Sequence, residues 1–199
     1  MNLRRTGPDA ASHVIVLAPG DSGRATDTAP TLIADGLAAA GFSVRRFDFP
    51  PCDTEDSAQR DALLAKHIRR AAQHLVVGQH LVLAGMSRGA RVSASLVSEL
   101  DAVALLAFAY PFHSRHEPNP GSRPADLAAV NVPVFLCQGT RDSHGNQQQI
   151  TGYGLPPHIH VHWLNDANHA LHPRERSGHT QAQQLTEATA IAAQFIREL

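Results

Sequence analysis

Leu81-Val82-Leu83-Ala84-Gly85-Met86-Ser87-Arg88-Gly89 is the stretch whose reading decides the fold. Residues 80–84 predict a buried strand and residues 88–100 a helix, with Ser87 at the apex of an abrupt turn between them. Glycines stand two places before and two places after that serine. This is the G-x-S-x-G pattern, in which a Cβ at either glycine would crowd the turn. A serine at such an apex sits in a strained backbone conformation with its hydroxyl lifted clear of the sheet. The next peptide N–H opens the helix and can face an oxyanion. The plainer alternative is a serine that merely caps the helix.

Strand and helix signals alternate on either side of this turn. Residues 13–18 are a continuous apolar run that stops at Pro19-Gly20. Further strands are predicted over 43–48, 103–109, 132–137 and 159–164. Amphipathic helices are predicted over 28–40, 57–77 and 181–199, the first two ending at Gly41 and Gly78. Residues 125–129 allow a short helix at best. The polar residues 1–12 read as a flexible N-terminus, and 13–199 as a single domain. Six strands alternating with helices imply an α/β fold. Its sheet is doubly wound and mainly parallel, with helices on both faces. The Pro-rich stretch 110–126 is too short for a cap domain.

Composition removes several classes of function. The 199 residues carry a formal net charge of −1. That leaves no basic field for nucleic acid or an anionic membrane. No stretch reaches membrane-spanning length. Two cysteines are too few for a disulfide framework and fit a reduced, cytoplasmic setting. Among thirteen histidines, His158, His160 and His162 share one face of the last strand. A zinc site needs further ligands and a second shell, so these histidines read as the wetter face of a strand near the sheet edge and no metal is assigned. Arg45-Arg46 and Arg69-Arg70 read as solvated faces.

A serine at its free pKa needs an adjacent base, itself oriented by a third group. Asp142 follows the fifth predicted strand and His169 the sixth, at strand ends where open α/β sheets place their sites. The order serine, acid, histidine is one this chemistry uses. His172 and His179 are rivals to His169, and Asp142 has a turn reading beside Ser143 and Gly145. Asp166 is read as a turn residue.

Taken together, the chain resembles the α/β-hydrolase superfamily, in its small lid-less branch near dienelactone hydrolase and the testis-expressed protein 30 group. The pieces that carry the resemblance are Gly85-Met86-Ser87-Arg88-Gly89-Ala90-Arg91, Tyr110-Pro111-Phe112-His113, Gln138-Gly139-Thr140-Arg141-Asp142 and Asn168-His169. It implies Ser87 as nucleophile, Asp142 as acid and His169 as base. The family usually has His-Gly-x-Gly after the first strand, where this chain has Ala18-Pro19-Gly20-Asp21-Ser22-Gly23. Proline has no N–H, so an oxyanion hole here needs the Arg88 N–H plus one from Gly20, Asp21 or Ser22. Tyr110 and His113 are expected to touch substrate. His113, Arg115, Arg123 and Arg141 are expected to favour a carboxylate on it. The expected activity is cleavage of an ester, thioester or lactone of a small molecule, without a cofactor. Acyl transfer would use the same residues. The alternative is a binding or scaffold protein on a hydrolase fold. Oligomeric state is left open.

Overall fold

Successive residues of a strand face opposite sides of its sheet. Residues 81–84 are apolar throughout because both sides are covered. The computed structural model describes residues 2–21, 23–49, 51–115 and 119–199; Ser22 and Pro118 lie outside them. Leu81 and Leu83 enter one apolar cluster, and Val82 and Ala84 a second on the other face.

The strands are β1 (Leu3–Thr6), β2 (His13–Ala18), β3 (Ser43–Phe47), β4 (His80–Met86), β5 (Ala104–Phe108), β6 (Val134–Gly139) and β7 (Ile159–Leu164). The helices are α1 (Thr28–Ala39), α2 (Ser57–Ala71), α3 (Arg88–Leu96), α4 (Arg123–Ala128), α5 (Gln147–Thr151) and α6 (Gln181–Arg197). One sheet runs in the order β1-β3-β2-β4-β5-β6-β7. Its pairs are parallel except for β1, which is antiparallel to β3. Ile33 and Leu37 of α1 and Leu185, Ala188 and Ala192 of α6 fill one face. Leu64 and Ile68 of α2 and Val92 and Leu96 of α3 fill the other, with Leu127 and Ile150 from α4 and α5. No helix among the described residues is long and apolar enough to cross a membrane.

Among the described residues the sheet has seven strands where the sequence predicts six. The extra one comes from the segment expected to be flexible, with Leu3 opposite Phe47 and Thr6 opposite Val44. A four-residue edge strand is held by backbone bonds and carries no apolar run to betray it. Exposed Arg4 and Arg5 suit such an edge, because charge discourages pairing with another chain.

Arg45 and Arg46 are not solvated. Both are buried, on opposite faces of β3. The Arg45 guanidinium donates to the carbonyls of Ala71, Gln73 and His74. These are groups a helix end leaves without partners. Here α2 stops, six residues short of the predicted end, and His74 turns to a φ of 60°. Arg46 donates to the carbonyls of Ala25 and Pro30 and to the Thr31 and Thr6 hydroxyls. Burial lowers the pKa of both arginines.

Strand order reverses between β2 and β4, which lie side by side although β3 separates them in sequence. The crevice beyond the carboxyl ends of strands at such a reversal is where these sheets bind ligands.

Candidate active site

At the end of β4 the backbone packs too closely for any side chain at the two glycines. A Cβ on Gly85 would lie 2.3 Å from the Gly89 carbonyl carbon, and one on Gly89 would lie 2.5 Å from the carbonyl oxygens of Ala18 and Pro19. Strand β4, the start of α3 and the end of β2 therefore meet backbone to backbone. Between the glycines, Ser87 has φ 50° and ψ −119°, a region costly for any residue with a Cβ. Its side chain makes no cap bond to α3. Instead the hydroxyl lies 2.8 Å from His169 Nε2. That geometry sets the capping alternative aside.

Asp142 follows β6 and is 1% exposed. Its carboxylate accepts from the His144 N–H at 2.7 Å and the Gln138 side-chain amide at 2.9 Å. It also accepts from His169 Nδ1 at 2.8 Å. The same carboxylate thus makes the bond of a local turn and the bond to His169. A carboxylate on Nδ1 places the ring proton there and leaves Nε2 to accept from the serine hydroxyl.

The His169 loop is fastened to the Asp142 loop. A Cβ on Gly139 would lie 2.4 Å from the Ala167 carbonyl oxygen, and the Arg141 N–H donates to that carbonyl at 3.0 Å. Asn168 accepts from the N–H groups of Ala170 and His172. Asp166 sits at φ 57° and pairs with Arg174 and Arg141, in keeping with its turn reading. His172 lines the cleft and His179 is exposed; the hydrogen bond to Ser87 comes from His169.

Two contributors were not singled out in the sequence. Gln138 is a buried polar residue in an otherwise apolar strand, itself a signal of a specific role. His144 stacks on His169 with ring centroids 3.9 Å apart. Burial, followed by the neighbouring His169, holds its pKa below the ordinary value of 6.5. Asp142, His144 and His169 form the group of described residues whose ligand atoms all lie within 4.8 Å of one another. A metal bound by all three would compete with the hydrogen bonds joining Ser87, His169 and Asp142. Elsewhere, His160 and His162 of the edge strand pack against Phe195 and Phe135.

Opposite the elbow, Gly20 follows β2. A Cβ there would lie 3.6 Å from that of Ser87, so this loop borders the serine. The Asp21 carboxylate accepts from Arg88 Nε at 2.5 Å and from Arg60 at 3.1 Å. Burial raises the Asp21 pKa, but the hydrogen bonds and charges of Arg88 and Arg60 outweigh it and bring it below the usual value. Arg88 also donates to Asp61, which Arg91 grips at both oxygens. Its backbone N–H is the first of α3 and has no carbonyl within the helix to bond.

Ser87 borders a cleft of about 780 Å³ lined by Gly20, Asp21, Met86, His144 and His169. A second recess of about 290 Å³ also borders Ser87, lined by Arg88, Arg91, His113, Arg123 and His144. His113 therefore reaches the site, with Nδ1 donating to the Ser114 carbonyl at 2.8 Å. Tyr110 does not. Its ring is wholly buried against Phe112, with centroids 4.9 Å apart, and burial pushes its pKa up to about 12. The Tyr110 side chain is used as core, and its carbonyl accepts from Gln138. Of the arginines expected nearby, Arg123 lines the recess, Arg115 is exposed and Arg141 is turned to Asp166.

The sequence model of the family described as alpha/beta hydrolase domain matches residues 11–197. Among solved structures, the chain is similar to an alpha-beta serine hydrolase homologue from Coxiella burnetii. The two share 20% identity over 94% of this chain and 88% of that one, with a TM-score of 0.72. It is similar at 20% identity to XC6422 from Xanthomonas campestris, an a/b serine hydrolase without lid, over 94% and 87% of the two chains with a TM-score of 0.65. Est1E from Butyrivibrio proteoclasticus, solved with ferulic acid, is 13% identical over 99% and 94%, with a TM-score of 0.71. At these identities the likeness is one of fold. A search of curated proteins finds no match.

Proposed function

The chain belongs to the alpha/beta hydrolase domain family, and on that premise we propose that it is a serine hydrolase. Its substrates are small esters, thioesters or lactones. The observation that carries this reading is the Ser87 hydroxyl 2.8 Å from His169 Nε2, on a serine held at positive φ and free of its helix.

Ser87 Oγ attacks the carbonyl carbon as its proton passes to His169 Nε2. Asp142 holds Nδ1–H and balances the imidazolium that forms. Gln138 and the His144 N–H keep that carboxylate fixed while it is buried. The tetrahedral oxyanion lies against the Arg88 N–H and an N–H of the loop at Gly20 and Asp21, each donor contributing about 3 kcal/mol. His169 then gives its proton to the departing oxygen or sulfur, and the acyl group remains on Ser87. Water, deprotonated by His169, attacks the acyl carbon, the bond to Ser87 Oγ breaks, and His169 returns the proton to Oγ as the acid leaves. No step calls for a cofactor.

Hydrolysis of para-nitrophenyl acetate by the wild type and by Ser87→Ala tests the reading. Turnover with a burst is expected in the wild type and a fall of about 10⁵-fold or more in kcat for the variant. Equal turnover by a folded Ser87→Ala protein would refute it and favour the alternative, a binding protein on a hydrolase fold.

A further inference from the structure

The two spaces beside Ser87 are not equivalent. His169 lines the larger cleft, together with the apolar Ala29, Pro30 and Met86. The smaller recess is lined by Ser87 but not by His169. A leaving group must come within reach of the acid that protonates it, so it occupies the cleft shared with His169. The acyl part of the substrate is left with the recess. At about 290 Å³, that recess lies at the lower end of small-molecule sites, about 300–1,000 Å³, and fits a short chain.

The charges around the recess do not cancel. Arg88 and Arg91 are paired with Asp21 and Asp61. Arg123, at the start of α4, donates from Nη1 to the Pro111 carbonyl at 3.0 Å. Among the described residues no carboxylate forms an ion pair with it. Arg123 is thus the guanidinium lining the recess that no described carboxylate pairs, and its charge lies beside Ser87. Burial, and then the charge of Arg91, lower the Arg123 pKa. A single unpaired guanidinium matches a monoanion of planar, bidentate shape better than a dianion.

We propose that this recess binds a carboxylate at the far end of the acyl chain, so that the preferred substrates are mono-esters or mono-thioesters of short dicarboxylic acids. Arg123 is the group that reads the acid. Arg88 and Arg91, locked by Asp21 and Asp61, set the field and the width around it. The inference rests on the hydrolase reading above, because Ser87 and His169 decide which space is the acyl side.

Two measurements test it. The first compares para-nitrophenyl monoglutarate with the para-nitrophenyl ester of glutaric monoamide, which has the same shape and no charge. The wild type is expected to prefer the acid by about tenfold or more in kcat/KM. Arg123→Gln should erase that preference, and Arg123→Lys, which retains the charge, should keep part of it. An equal rate for both esters, or equal loss of the preference in both variants, would overturn the inference. The second is calorimetric binding of free glutarate to the full chain, wild type against Arg123→Gln. Binding that depends on Arg123 supports the subsite even if neither ester is cleaved, in which case the hydrolase reading alone falls. Absence of binding, or equal binding to both proteins, counts against the subsite whatever the ester rates.

Discussion

Arg45 and Arg46 in the sheet and Arg88, Arg91 and Arg123 around the cleft are the same side chain put to two uses. The β3 pair is buried; Arg45 spends its donors on the carbonyls at the end of α2, and Arg46 divides its own between two carbonyls and two hydroxyls. The cleft arginines reach carboxylates and empty space. Enclosure separates the roles. In the buried pair the fold itself takes up the Nη donors, while the Nε of each is shut away from any ligand with no partner among the described residues. Arg123, beside Ser87 and with no counter-ion among the described residues, still has bonds to offer a ligand.

Substitution should part the two sets. Arg45→Met removes three donations at the end of α2 and is expected to cost about 3 kcal/mol, or roughly 6–12 °C in Tm, by thermal unfolding. Arg123→Gln is expected to lower Tm by no more than about 3 °C, its effect appearing in substrate preference. If Arg123→Gln destabilised the fold as much as Arg45→Met, the comparison would fail.

The smallest expected effect concerns His144. Its folded pKa lies below the ordinary histidine value of 6.5, so the unfolded chain binds its proton more readily. Its contribution to stability is then present above pH 6.5 and is lost as pH falls below it. His13 and His162, also lowered by burial, act in the same direction. Unfolding by urea between pH 8 and pH 5 should show the decline, and His144→Gln should flatten part of it. An identical slope in the variant would remove His144 from the account.

What could be read in the chain was what depends on near neighbours. The elbow was legible because Gly85, Ser87 and Gly89 are two residues apart and the contacts that forbid a Cβ lie within the turn or at the end of the adjacent strand. Asp142 and His169 were legible from their places after strands. Strand β1 was not, because backbone pairing with β3 holds it and no apolar pattern marks it. Arg45-Arg46 reads as polar surface in any local window; only the end of α2, some thirty residues on, and the loop at Ala25 show what it satisfies. Tyr110 could have faced the cleft or the core, and packing against Phe112 decided it. The stacking of His144 on His169 joins two loops far apart in sequence, and no spacing announces it.

The central claim is that Ser87 is activated through His169 by Asp142. The most direct measurement is the rate of adduct formation with a fluorophosphonate, read as intact mass, for the wild type, Asp142→Asn and Ser87→Ala. A stoichiometric adduct is expected on the wild type, with formation slowed by about 10³–10⁴-fold in Asp142→Asn and no adduct on Ser87→Ala. A folded wild type that takes no adduct, or a Ser87→Ala protein that takes the same one, would contradict it.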